Sequence, residues 1–293
     1  MIRLATRGSA LALAQARLVA DLLDDEVELV EVRTSGDARR AVGDKSRWVK
    51  EIEEALLDGR ADLAVHSAKD VPGVLPNGLA IVGVPERADP RDAVCGFSAL
   101  DPLPEGARVG TSALRRRAQL LAWRPDLDVL DLRGNVDTRL RRLVDEFDAI
   151  VVASAGLARL GRADAGSPVD VSVLTPAPGQ GCLALEARED DDRMRSLAGA
   201  VTDRAALTAY SAERALVDTL EATCDTPVGA FAEPLDGGDG LLVRAFAGLP
   251  DGSTWVRDEL EGDAADPVAL GREVASRMLA AGAAEILGAA SRA

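Results

Sequence analysis

Histidine is almost missing from this 293-residue chain. His66 is the only one, which excludes His-based zinc sites and any Ser-His-Asp or Cys-His triad that does not use it. Cysteine is scarce as well. Cys95, Cys182 and Cys224 are odd in number and far apart, so neither a disulfide framework nor a Cys-x-x-Cys site is expected, and no metal is assigned. No apolar run approaches the roughly eighteen residues that a membrane-crossing helix needs. The opening MIRLATRGSALALAQARL lacks the long apolar core of a signal peptide, so a cytoplasmic protein without a membrane partner is expected. Lysine occurs only at 45, 50 and 69, which leaves 34 − 3 = 31 arginines.

Hydrophobic residues make up 47%, enough for a large core and unlike a disordered tail. Acids outnumber bases, 34 − 49 = −15. So acidic a chain, with 3% aromatics, is a poor general binder of nucleic acid or anionic membrane. Excess acid with scarce lysine points to adaptation to high salt; a codon bias toward arginine would give the same composition.

The length predicts about two domains, with one or three allowed. Short apolar runs alternating with helical patterns predict an α/β fold with mixed, mostly parallel sheets. Strands are expected over 2–6, 27–33, 62–67 and 79–84, with helices over 9–23 and 48–57 and a polar loop over 35–47. After the prolines at 85 and 90, strands are expected over 107–110, 128–132 and 149–153. Helices follow over 112–123 and 136–147, with a short turn over 156–160. TPAPGQG (175–181) precedes a strand over 182–187 that returns to the first sheet. A helix over 202–220, three strands (228–234, 241–249, 253–260) and a helix over 267–287 make a small α+β C-terminal domain.

Arginine is concentrated. Between Thr111 and Arg142 stand Arg115, Arg116, Arg117, Arg124, Arg133, Arg139, Arg141 and Arg142 against four aspartates, a local charge of 8 − 4 = +4. Most follow strand ends, where open α/β sheets bind ligands beside helix N-termini. There Thr111 and Ser112 can cap a helix and offer backbone N–H groups to an anion. For Arg117, Arg124, Arg141 and Arg142, solvated ion pairs with nearby aspartates are the simpler reading. Arg115, Arg116, Arg133 and Arg139, nearest the turns, suit an anion with several carboxylates or a phosphate. The phosphate motifs GxxxxGK[ST] and GxGxxG are absent.

In ADLAVHSAKDVP an apolar strand ends in His66 and Ser67, followed by Lys69 and Asp70. Polar groups just past a buried strand sit where α/β enzymes place catalytic residues, and Asp70 could shuttle protons or stabilise a cation. A turn-forming aspartate before a proline is the equal alternative. Cys224, in LEATCDTPVG between a helix and a strand, is the best candidate for a reactive thiol, though a structural loop cysteine fits as well. Cys95 and Cys182 lie in apolar strand patterns and read as buried small hydrophobes.

Nearly end to end and in order, LATRGSALALAQA, KSRWVKEIEEALL, ADLAVHSAKDVP, DPRDAV, VGTSALRRRAQL, LRGNVDTRL, AGLARLG, PGQG and TCDTPVG resemble the porphobilinogen deaminase (hydroxymethylbilane synthase) family. The resemblance implies a transferase that joins four porphobilinogen molecules head to tail, releasing ammonia each time, to give a linear tetrapyrrole of heme biosynthesis. It implies a covalent dipyrromethane cofactor held by a thioether at the position of Cys224. Asp70 matches the catalytic aspartate, which stabilises an azafulvenium-like cation. Lys69, Ser67, Thr111, Ser112, Arg115, Arg116 and Gln180 match cofactor contacts, with Lys45 in a lid over 35–48. Arg7, Ser9, Arg133, Arg139 and Arg159 match the substrate side. His66 matches a motif histidine without an assigned catalytic role.

The implied fold has two lobes like those of periplasmic binding proteins, residues 1–86 with 182–200 and residues 87–181. A third domain spans 201–293, and a monomer is expected. Ala41, Ala113 and Thr223 depart from the family pattern of lysine, serine and glycine. Two rivals remain: a two-lobed binding protein for a carboxylated small molecule, and a nucleic-acid binder using RRR and RLRR, which the charge opposes.

Overall fold

The computed structural model describes residues 1–34, 49–223, 226–237 and 239–292. The expected loop over 35–47, Lys45, Ala41 and Cys224 lie outside the described residues. The chain divides into two compact units, Met1–Ala88 with Cys182–Leu207, and Asp89–Gly181 with Thr208–Ala293.

The first unit is built on a five-stranded sheet. Its strands are β1 (Ile2–Arg7), β2 (Val27–Val32), β3 (Leu63–Ser67), β4 (Leu79–Gly83) and β10 (Leu183–Arg188), in the order β2-β1-β3-β10-β4. β1 is parallel to β2 and β3, whereas β10 runs antiparallel to both β3 and β4. Four strands therefore point one way and β10, the strand after PGQG, runs the other way; that it joins the first sheet was expected, its direction was not.

The apolar runs are continuous because both faces are covered. Ile2 and Leu4 pack with Ala16 and Val19 of helix α1 (Ala10–Leu22) and with Met194 and Ala198 of helix α6 (Asp192–Ala200). Ala5, on the other face, packs with Ile52 and Leu56 of helix α2 (Lys50–Leu57). Helix α6 was not expected from the sequence. It starts where Asp191 accepts a hydrogen bond from the Met194 N–H at 3.0 Å.

The second unit repeats the arrangement. Strands β5 (Asp92–Cys95), β6 (Arg108–Gly110), β7 (Asp128–Leu130), β8 (Ala149–Ala153) and β9 (Ser167–Pro168) lie in the order β7-β6-β8-β5-β9, again with one strand, β5, antiparallel to its neighbours. Helix α3 (Leu114–Trp123) covers one face through Leu120, packed with Val94, Val109 and Val151. Helices α4 (Val136–Glu146) and α5 (Ser154–Arg159) cover the other, where Leu157 meets Cys95, Ile150 and Val152. Cys95 and Cys182 are buried, as the apolar patterns around them implied.

The same unit carries an antiparallel meander, β11 (Val228–Pro234), β12 (Gly240–Gly248) and β13 (Trp255–Asp263), backed by helices α7 (Arg204–Thr219), α8 (Pro267–Ala280) and α9 (Ala283–Ala290). The single helix expected over 267–287 is two. Gly282, at φ 96°, opens α9 in the left-handed region that glycine adopts without strain. At Gly271 the backbones of α7 and α8 meet so closely that a Cβ would stand 2.1 Å from the Ala212 carbonyl oxygen.

Candidate functional site

Because β1 and β3 are adjacent and parallel, with Leu4 opposite Leu63, both leave the first sheet at the same edge. Arg7 ends β1 there, with Ser9 just beyond, and Ser67 ends β3, followed by Lys69 and Asp70. Ser9 caps α1, its Oγ accepting from the Ala12 N–H at 3.3 Å. The buried Gln15 amide of α1 donates to Ser67 Oγ at 2.9 Å and fixes the end of β3. Ala68–Asp70 then forms one tight turn, held by the Val71 N–H to the Ala68 carbonyl at 3.2 Å and by the Ala68 N–H to the Cys182 carbonyl at 3.1 Å. Lys69 and Asp70 are left half-buried at the sheet edge.

His66 turns the other way. Its Nε2 lies 2.9 Å from Glu186 Oε2, both side chains being buried. Glu53 of α2 joins this group, and its carboxyl is pushed up to about 7, first by burial and then by the charge of Glu186, with His66 opposing.

In the second unit the charged cluster converges on Asp92. This aspartate opens β5 opposite Ala153, the last residue of β8, so it lies at the edge where β6 and β8 end. It is wholly buried. Its Oδ1 accepts from Arg116 Nε and Nη2 at 3.0 and 2.8 Å and from Gln180 Nε2 at 2.8 Å. Its Oδ2 lies 2.8 Å from Arg115 Nη1. Burial alone would raise this carboxyl, but the two guanidiniums outweigh burial and hold it well below the usual carboxylate range.

Backbone carbonyls complete the cradle: Thr175 accepts from Arg115 at 2.6 Å, Val151 from Arg116 at 3.1 Å and Pro90 from Gln180 at 2.7 Å. Gln119 clasps Thr175 from both sides, at 2.8 and 3.0 Å. One carboxylate faces two guanidiniums, so the cluster holds one positive charge in excess. A buried excess charge is costly unless an anion shares it, and carboxylate side arms of a bound ligand fit that requirement.

The hydroxyls expected to cap α3 do something else. The chain leaves β6 extended through Ala113, which takes the N-cap position without a side-chain cap. Thr111 Oγ1 instead accepts from the Ala113 N–H at 3.3 Å, and Ser112 Oγ accepts from Arg139 Nη2 at 3.2 Å. Arg139 also donates from Nε to the Gly134 carbonyl at 2.8 Å. Arg133 pairs with Asp131 at 2.7 Å, both more than half exposed. Such a pair contributes about 1 kcal/mol at most. Arg159 donates to the Gly181 carbonyl at 2.7 Å, at the end of the PGQG segment.

Among the arginines read as ion-paired, Arg124 and Arg142 pair with Asp126 and Glu146, each at 2.6 Å. Arg117 and Arg141 bond instead to the Val129 carbonyl and to Thr138 Oγ1. Thr223 and Thr226 flank the undescribed residues 224 and 225 and bond each other, the Thr223 N–H to Thr226 Oγ1 at 2.8 Å.

Sequence reasoning passed over Asp92, Glu186, Glu53 and Gln119. A signal existed for the first: a carboxylate opening the apolar run DAVC has no place in a buried strand unless it is paired.

Residues 2–196 match a family model described as the porphobilinogen deaminase, dipyromethane cofactor binding domain, and residues 207–280 match that of the porphobilinogen deaminase C-terminal domain. The chain belongs to the porphobilinogen deaminase family. Curated relatives named porphobilinogen deaminase include one from Nitratidesulfovibrio vulgaris, 47% identical over 97% of this chain and 95% of its own length. Another, from a Roseiflexus species, is 48% identical over 96% and 97%. Among solved structures, a periplasmic substrate-binding protein of an ABC transporter from Coxiella burnetii is 16% identical over 71% of this chain and 94% of that one, with a TM-score of 0.42. Lipoprotein Tp32 from Treponema pallidum is 15% identical over 68% and 90%, at 0.43. At such scores the likeness adds nothing to the strand order already described. No helix among the described residues is long and apolar enough to cross a membrane.

Proposed function

We propose that this chain carries out the porphobilinogen deaminase reaction, in which four porphobilinogen molecules and one water give the linear tetrapyrrole hydroxymethylbilane and four ammonia. The supporting observation is identity of 47–48% with proteins of that name across nearly the whole chain. The acidic composition and the buried arginine pair agree with a small, multiply carboxylated substrate rather than with nucleic acid.

The thiol of Cys224 holds the dipyrromethane cofactor as a thioether, a soft sulfur being well suited to a stable C–S bond. When bound, the cofactor supplies a nucleophilic pyrrole carbon on which the chain grows. Arg115 and Arg116 take its carboxylates, with Lys69, Ser67, Thr111, Ser112, Gln180 and Lys45 completing the contacts. Arg7, Arg133, Arg139 and Arg159, with Ser9, take the acetate and propionate of the incoming porphobilinogen. Charge-assisted contacts of this kind contribute roughly 1.5–3 kcal/mol each.

Asp70 is the catalytic residue. Its carboxylate accepts hydrogen bonds from pyrrole N–H groups and stabilises the cation left when the C–N bond of porphobilinogen breaks and ammonia departs. It then receives the proton that the attacking ring carbon loses once the new C–C bond has formed. The half-buried position at the end of β3 lowers the local dielectric around it while leaving it open to the substrate.

The protein acts as a cytoplasmic monomer without nucleic-acid or membrane partners, with domains at 1–86 with 182–200, 87–181 and 201–293. Its acid excess suits high salt. At about 1 M salt the screening length is roughly 3 Å, so substrate capture rests on direct guanidinium contacts rather than on long-range steering. Purified protein incubated with porphobilinogen should release one ammonia per monomer consumed and one tetrapyrrole per four. Absence of both products refutes the assignment.

A further inference from the structure

The clearest group that the reaction above leaves without a task is Asp92. It is wholly buried, so it touches no substrate, and yet it is bonded to three residues assigned to the cofactor: Arg115, Arg116 and Gln180. The three partners come from two stretches distant from it in sequence. The two arginines project from the first turn of α3, and Gln180 lies in the PGQG loop. An arginine side chain has several rotatable bonds, and fixing one loses rotamer freedom. Here that loss is taken on folding, before any ligand arrives.

We propose that Asp92 is a positioning residue for the cofactor site: its carboxylate presets Arg115, Arg116 and Gln180 and leaves one unit of positive charge for the carboxylates of the entering pyrroles. A single carboxylate is the right number. None would leave two mutually repelling guanidiniums without a fixed direction. Two would neutralise the pair and remove its attraction for an anion. Among the described residues no other acidic side chain pairs with either arginine. The Val151 carbonyl takes Arg116 Nη1 while Asp92 takes Nε and Nη2, so that guanidinium is held on both sides, and Arg115 Nη1 is shared between Asp92 and the Thr175 carbonyl. The assignment rests on the reaction proposed above.

The test is primer acquisition by the full-length apoprotein, followed as the gain of two pyrrole units in the intact mass of the denatured chain at a series of porphobilinogen concentrations. In Asp92→Asn the half-saturating concentration should rise tenfold or more, while the final amplitude follows the folded fraction. A merely structural defect lowers the amplitude and leaves half-saturation unchanged, and that result in a folded variant overturns the role. If Asp92→Asn has no cooperative melt, Asp92→Glu decides, since it keeps the charge and displaces it by one methylene. A threefold or greater rise supports the role, and an unchanged value overturns it. Failure of both variants to fold places the carboxylate in stability alone and also overturns it. A wild-type chain that gains no pyrrole mass refutes the reaction itself, and this inference with it; the two failures are distinguished by the wild-type control.

Discussion

Glu53→Gln should stabilise the protein at alkaline pH and not at acid pH. Glu53 is 7% exposed, its Oε1 has no hydrogen-bond partner among the described residues, and it shares the core of the first unit with Glu186 and His66. Burial and the charge of Glu186 push its carboxyl from 4.5 to about 7, against the pull of His66. The folded state therefore keeps a proton that the unfolded chain gives up between these values. The resulting stability is full below about pH 4.5 and lost as pH rises past about 7. A tenfold change in proton affinity is about 1.4 kcal/mol, so ionising Glu53 inside the fold costs about 3 kcal/mol at pH 8.

Glutamine has nearly the same size and carries no charge at any pH. The stability difference between variant and wild type should grow from less than about 1 kcal/mol at pH 5 to about 3 kcal/mol at pH 8. Urea unfolding followed by circular dichroism at the two pH values measures it. A difference that is flat with pH, or largest at pH 5, would refute the reasoning.

Asp70→Asn should fold with an unchanged melt and lose nearly all turnover, at least a hundredfold in kcat; near-normal turnover removes Asp70 from the chemistry. Arg133→Leu and Arg139→Leu should stall elongation, so that mass spectra show protein carrying partial adducts; normal release of full-length product contradicts their role. Gly271→Ala forces a Cβ to 2.1 Å from the Ala212 carbonyl oxygen. The helices must separate, at about 1–3 kcal/mol, and the melting temperature should fall by several degrees; an unchanged melt would show that α7 and α8 have room.

Much of this fold was legible because strand burial is two-sided. β8 and β11 have the expected bounds, since both are apolar runs bordered by polar residues and the helical pattern changes abruptly beside them. β5 was harder: four residues beginning with a carboxylate do not read as core until the partners of that carboxylate are known. The break at Gly282 was hidden because alanine and leucine surround it and another glycine, Gly271, stands inside a helix of the same stretch without ending it.

The site divides in the same way. Position along the chain placed Ser67, Lys69 and Asp70 at the end of one strand and Thr111, Ser112, Arg115, Arg116, Arg133 and Arg139 near the ends of others, whereas Arg7, Ser9, Arg159 and Gln180 entered only through the family resemblance. Position did not give the direction of a long side chain. Arg115 and Arg116 turn inward to Asp92, whereas Arg133, eighteen residues after Arg115, lies in solvent beside Asp131. Helical spacing alone does not distinguish these outcomes. They depend on which strand brings a carboxylate beneath the helix.

In the proposed function, a sulfur at position 224 anchors a pyrrole primer from which the product is built. Intact mass of the denatured protein, with peptide mapping, tests it most directly. Wild type should carry two pyrrole units on the peptide containing Cys224, and Cys224→Ser should be folded, unmodified and inactive. An unmodified wild-type chain that still converts porphobilinogen to tetrapyrrole, or an adduct on another residue, would contradict the account.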